Sequence, residues 1–130
     1  MNPKIIAADF KRAVAELSEA LGSHPTSHLE QAGCIQYFEF CFELAWKSLK
    51  SLASYHGLSD AESPRSALRV GFAQRWLDDE PTWLEMLECR NRMTHAYSSA
   101  SVLDVYARLK DFAEVLQQLD HKLDEILAQY

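Results

Sequence analysis

No uncharged apolar run in this chain approaches the roughly 18 residues that a membrane crossing needs. The N-terminus also lacks the basic, then apolar, then small-residue order of a secretory signal. Its first apolar stretch already carries Asp9, Lys11 and Arg12. A soluble, cytoplasmic protein is expected, with no membrane among its partners. A broad basic excess is missing too: the net charge of -6 and pI near 5.3 argue against a dedicated nucleic-acid coat protein. Cysteine is scarce and odd in number, with three residues, Cys34, Cys41 and Cys89, all inside apolar runs. Cys34 and Cys41 stand two helical turns apart, about 10 Å along an axis, and cannot bond within one helix. The thiols read as small buried hydrophobes in a reducing compartment. His24 and His28 have a helical ligand spacing, but Pro25 lies between them and no carboxylate or thiol completes a set. No metal and no cofactor is expected.

What the chain does have is helical periodicity throughout, without strand alternation, repeats or low-complexity tracts. Ile6, Phe10, Val14, Leu17 and Leu21 step by three and four, predicting a first helix that Gly22 and Pro25 end. A second, longer helix runs from about Ser27 to His56, where Gly57 stops it. Ile35, Phe38, Phe42, Ala45, Leu49 and Leu52 form one stripe, and Tyr37, Cys41 and Leu44 a neighbouring one. Only a narrow polar strip is left (Gln36, Glu39, Glu43, Lys47, Lys50), so this helix should be covered on more than one side, at a bundle centre, in a subunit interface, or both. Ser63-Pro64 opens a third, short helix through Phe72, and Asp78-Asp79-Glu80-Pro81 a fourth. Ser98–Ser101 reads as a polar break, with Ser101 and Asp104 as a cap for a last helix whose seam runs from Val102 to Tyr130. The expected fold is all-α, an antiparallel bundle of four to five helices, with residues 1–130 as one domain.

The fourth helix holds the informative anomaly. Trp83, Leu84, Met86 and Leu87 set an apolar stripe, and at about 100° per residue Arg90, Asn91, Thr94 and Tyr97 continue it, with His95 roughly 140° round from Arg90. A buried cation without a partner is costly, so this face must meet water, a ligand or another subunit. Cations in a last turn also complement the helix dipole, which is the structural explanation. Arg92 alone on the exposed side would serve that purpose, however, whereas Arg90, Asn91 and His95 forfeit burial. Arg90 can fork onto a phosphate and stabilise charge building on it. His95, with an ordinary pKa of about 6.5, can carry a proton to or from a ribose hydroxyl or leaving oxygen. Two copies across a two-fold axis could divide the acid and base roles. Arg65 and Arg69 lie in the same arginine-rich segment and are candidate anion-binding residues.

Arg90-x4-His95-x-Tyr97 resembles the Arg-x(4-6)-His signature of the HEPN superfamily. Tyr37–Lys47, Ser63-Pro64-Arg65 with Leu68, Arg69 and Phe72, and Trp83–Leu87 add a resemblance over nearly the whole chain to its nucleotidyltransferase substrate-binding-protein-like branch. That resemblance implies a helical-bundle homodimer partnered by a small MNT-type nucleotidyltransferase from a two-gene module. Related HEPN/MNT pairs act as toxin and antitoxin, with the HEPN protein a metal-independent ribonuclease silenced by AMP addition to the motif tyrosine. Carried over, Arg90 and His95 form the catalytic pair, Tyr97 is the modified or substrate-positioning residue, and Asn91 and Thr94 are supporting polar groups. RNA or a nucleotide is then the implied ligand. The first functional expectation is a partner subunit presenting this site at a dimer cleft; the second is an endoribonuclease; the third, a bare helical scaffold.

Overall fold

The computed structural model describes the backbone of residues 2–95 and 99–130 and the side chains of 2–93 and 102–130. These form α1 (Pro3–Gly22), α2 (His28–Tyr55), α3 (Pro64–Ala73), α4 (Glu80–His95) and α5 (Ser99–Leu127). The architecture is the all-α bundle expected. The helix starts follow from local hydrogen bonding. Ser27 and Glu30 close a reciprocal capping box on α2, and Ser63 with Ser66 does the same on α3. Asp79 accepts from the Thr82 amide at 3.3 Å and its hydroxyl at 2.8 Å, opening α4.

Side-chain pairings fix the helix directions. Along α1, Lys4 meets the Tyr130 carbonyl, Lys11 meets Asp124 and Asp120, and Ser18 meets Gln117, so α1 and α5 run oppositely. Phe38 packs on Phe112 and Tyr55 on Tyr130, so α2 and α5 run the same way. Glu85 bonds Arg108 and, further along α4, Arg92 feels the charge of Asp104, so α4 and α5 run oppositely. The long helices thus alternate in direction along the chain. α2 contacts all four others, which accounts for its two apolar stripes. At its middle, Phe38, Phe42, Phe112 and Trp83 link α2, α5 and α4 through ring centroids 5.3 to 6.4 Å apart.

α3 lies close on α2 at Gly71. A Cβ there would stand 2.8 Å from Leu77 Cδ1 but at an ordinary contact distance, 3.5 Å, from Leu49 Cδ1, so the missing side chain makes room for Leu77 in the following turn rather than for α2. α3 ends in a turn with Trp76 N–H on the Gly71 carbonyl and Arg75 in the left-handed region (φ 62°), a place usually given to glycine. Gly57 takes that place after α2 (φ 77°).

α1 ends at Gly22 as expected, and His24 (φ 56°) makes the turn beyond it. Three sequence expectations change. Ser101 lies inside the first turn of α5, which already begins at Ser99, so it is not the cap. α5 ends at Leu127, and Tyr130 leaves the seam to stack on Tyr55. Leu84 is 40% exposed while Trp83, Met86, Leu87 and Cys89 are buried, so the core-facing side of α4 is rotated away from Leu84.

This rotation sets a stability ranking. Met86→Ala should cost about 2–5 kcal/mol through an unfilled core site, whereas Leu84→Ala should stay within roughly 0.5 kcal/mol, as surface changes do. Urea unfolding of both variants measures the difference, and equal losses would remove the assigned stripe.

Candidate functional site

Arg90 sits ten residues into α4, where the apolar stripe faces the polar strip of α2. Its Nε and Nη2 donate to Oε1 of Glu43 at 3.1 and 2.7 Å, and its Nη1 donates to Asn91 Oδ1 at 3.2 Å. The other Glu43 oxygen accepts from the Trp46 indole N–H at 3.1 Å and lies 3.8 Å from Lys47 Nζ. One carboxylate therefore holds a guanidinium from α4 and an indole from its own helix. Both partners are about one-third exposed, at 31% and 34%. A pair at that exposure contributes roughly 1 kcal/mol or less, too little to explain why an arginine replaces a core residue. Its stronger effect is geometric: two nitrogens held on one oxygen fix the guanidinium plane at the edge of the bundle.

Glu39, one turn before Glu43, also faces this cation. Burial pushes its carboxyl above the ordinary value, and Arg90 acts in the opposite direction. Arg92 is exposed, as its place on the outer side of α4 predicts, with Nη2 3.4 Å from the Cys89 sulfur. Burial raises all three thiols, Cys41 to about 12, which makes them poor nucleophiles.

Arg90 and Asn91 are thus brought together, on a rim shared with Glu43, Glu39 and Trp46. Arg65 and Arg69 are together elsewhere. They line a cavity of about 260 Å³ with Leu68, Phe72, Glu80 and Leu84, where α3 meets the start of α4. By helix rise, Leu84 and Glu80 are about 9 and 15 Å along α4 from Arg90. The side chains of Thr94 and His95, and Tyr97 altogether, lie outside the described residues. No group of three or more potential metal-binding side chains occurs among the described residues.

The family described as nucleotidyltransferase substrate binding protein like matches residues 7–125. The chain belongs to this family, within the HEPN group. A Haemophilus influenzae relative named probable ribonuclease HepT is 30% identical over an alignment covering 62% of this chain and 58% of that protein. The chain thus spans less than two-thirds of that relative's length. A crystal structure of a Thermus thermophilus protein superposes with a TM-score of 0.78 at 30% identity, covering 88% of this chain and 98% of that one. No helix among the described residues of this nucleotidyltransferase substrate-binding-like protein is long and apolar enough to cross a membrane.

Glu43 is the residue that periodicity placed in a merely solvated strip. Its signal was available: Glu39 and Glu43 stand one turn apart inside an otherwise apolar run, where a half-buried carboxylate calls for donors or a cation beside it. Arg108 was also passed over. It forks onto both oxygens of Glu85, at 2.7 and 2.9 Å, pairs with Asp111 and lies over the Phe112 ring, tying α5 to α4 below the site. His56 caps α2, as histidines beside a helix end often do, and meets the Tyr130 hydroxyl through Nε2.

The raised Glu39 carboxyl has a defined linkage sign. Because the folded chain favours the protonated form, its stabilising contribution is complete below the ordinary carboxylate value and is lost as pH rises through the folded one. Glu39→Gln should therefore raise the melting temperature relative to wild type at about pH 7 and lose that advantage near pH 4. Thermal unfolding at the two pH values measures it; an advantage confined to the acid side would contradict the burial of this group.

Proposed function

We propose that the chain is the substrate-binding-type partner subunit of a small MNT-type nucleotidyltransferase. In this reading residues 1–130 form one HEPN-like domain, and a homodimer presents Arg90, His95 and Tyr97 at its cleft, with Asn91 and Thr94 supporting them. The observation that carries the reading is the fixed Arg90 guanidinium at the bundle edge, held by Glu43 and bonded to Asn91. Such a group recognises an anion by shape as well as charge. Glu43 already offsets much of its charge, which suits recognition better than strong stabilisation of a phosphorane.

A second reading is favoured by the Haemophilus influenzae relative named as a probable ribonuclease. There Arg90 would meet the scissile phosphate, competing with Asn91 for Nη1, and His95 would move the proton of the ribose 2′-hydroxyl. AMP added to Tyr97 by the transferase would then silence the site by bringing bulk and negative charge into it.

Co-expression with the cognate nucleotidyltransferase, followed by mass spectrometry, is the direct test. Under the partner reading the two proteins should co-purify, Tyr97 should gain the mass of one or more AMP groups, and RNA should stay intact with the unmodified protein in EDTA. RNA cleavage in EDTA that Arg90→Ala or His95→Ala reduces by about a hundredfold or more would favour the ribonuclease instead. If Arg90→Leu and His95→Leu stabilise the protein and leave modification, partner binding and RNA unaffected, both readings fail and a scaffold remains.

A further inference from the structure

From the Glu43–Arg90 pair the polar edge of α2 continues into a groove of about 370 Å³ lined by Trp46, Lys47, Lys50, Ser51 and Ser54. Positions 43, 46, 47, 50 and 54 recur at helical spacing and so share one face. The groove holds an aromatic surface, two ammonium groups and hydroxyls, with a volume in the range of small-ligand sites. Its indole, partly buried against the core, is fixed by the N–H bond to Glu43, and the Lys47 ammonium lies over the ring, 6.0 Å from its centroid, where an entering base would displace it. Lys47 and Lys50 are each paired to one acid, at 3.8 Å to Glu43 and 3.2 Å to Glu62, with lysine side chains 48% and 43% exposed. Exposed pairs of that kind are weak and yield readily to a phosphate.

We infer that this groove binds a nucleotide unit, with a base on the Trp46 indole and a phosphate between Lys47 and Lys50. The inference rests on the anion-recognition reading of Arg90 and extends that site along α2. A flat ring accepts any base by stacking, and lysines contact phosphate without reading sequence, so the groove has little base preference. The unit can be a free nucleotide or one residue of an RNA strand reaching on toward Arg90.

Isothermal titration of the full chain with AMP, with ATP and with a six-nucleotide oligoadenylate tests this. Wild-type protein should bind at least one probe; comparable binding of AMP or ATP identifies the free nucleotide, and binding of the oligonucleotide alone identifies a strand. Trp46→Leu should weaken that binding roughly 5- to 100-fold, as loss of a stacking partner does. Trp46→Phe should recover part of it, and Lys47→Gln/Lys50→Gln should weaken it about tenfold or more while melting temperatures stay close to wild type. Binding of none of the probes, or binding indifferent to all three variants, overturns the groove. The Arg90 reading fails separately: groove binding that persists while Arg90→Ala leaves partner modification and RNA unchanged sinks that reading and spares this one.

Discussion

The structure depends on α2 being covered by every other helix of the bundle. A helix in that position can keep charged side chains in water along one edge only, since burying an unpaired charge costs far more than any single contact returns. That edge collects Glu39, Glu43, Lys47 and Lys50. Any helix that brings an arginine against α2 must bring it to the same edge. Arg90 does so, and the site and the groove beside it follow from where the centre of the bundle runs out of apolar cover.

The same constraint orders the rest of the core. Phe38, Phe42, Phe112 and Trp83 fill the space among α2, α5 and α4 and set the level at which Glu43 and Arg90 meet. α3 packs on α2 where Gly71 meets Leu49, and the arginines of α3 line a cavity with the start of α4 rather than with Arg90. Two cationic regions close in sequence are therefore separate in space.

The helices were legible because their signals are local. Ser27, Gly57, Ser63 and Pro64 mark ends through hydrogen bonds and backbone freedom within a turn, and the structure begins and ends α2 and begins α3 within a residue or two of those marks. The start of α5 misled because serines stand at 98, 99 and 101 in the sequence, and periodicity alone cannot say which of them is already helical; α5 begins at Ser99. Leu84 misled because it shares an arc with Leu87, and the exact rotation of α4 is set by Trp83 and Met86 packing on other helices. Of the candidate site, Arg90 was legible as a charge that broke a stripe. Glu43 was legible only as a carboxylate inside an apolar run, and its partner, 47 positions away, was not. The clustering of Arg65 and Arg69 was visible as composition, but their distance from Arg90 was a property of the assembled bundle.

The buried cysteines give this bundle an internal clock. Cys34, Cys41 and Cys89 are each no more than 2% exposed, and desolvation keeps their thiols protonated. An alkylating reagent in solution reaches such a sulfur only when the surrounding helices part, so labelling proceeds at the pace of that local opening. With two of the thiols on the central helix and one on α4, the separate labelling rates divide motion of the scaffold from motion of the wall that carries Arg90.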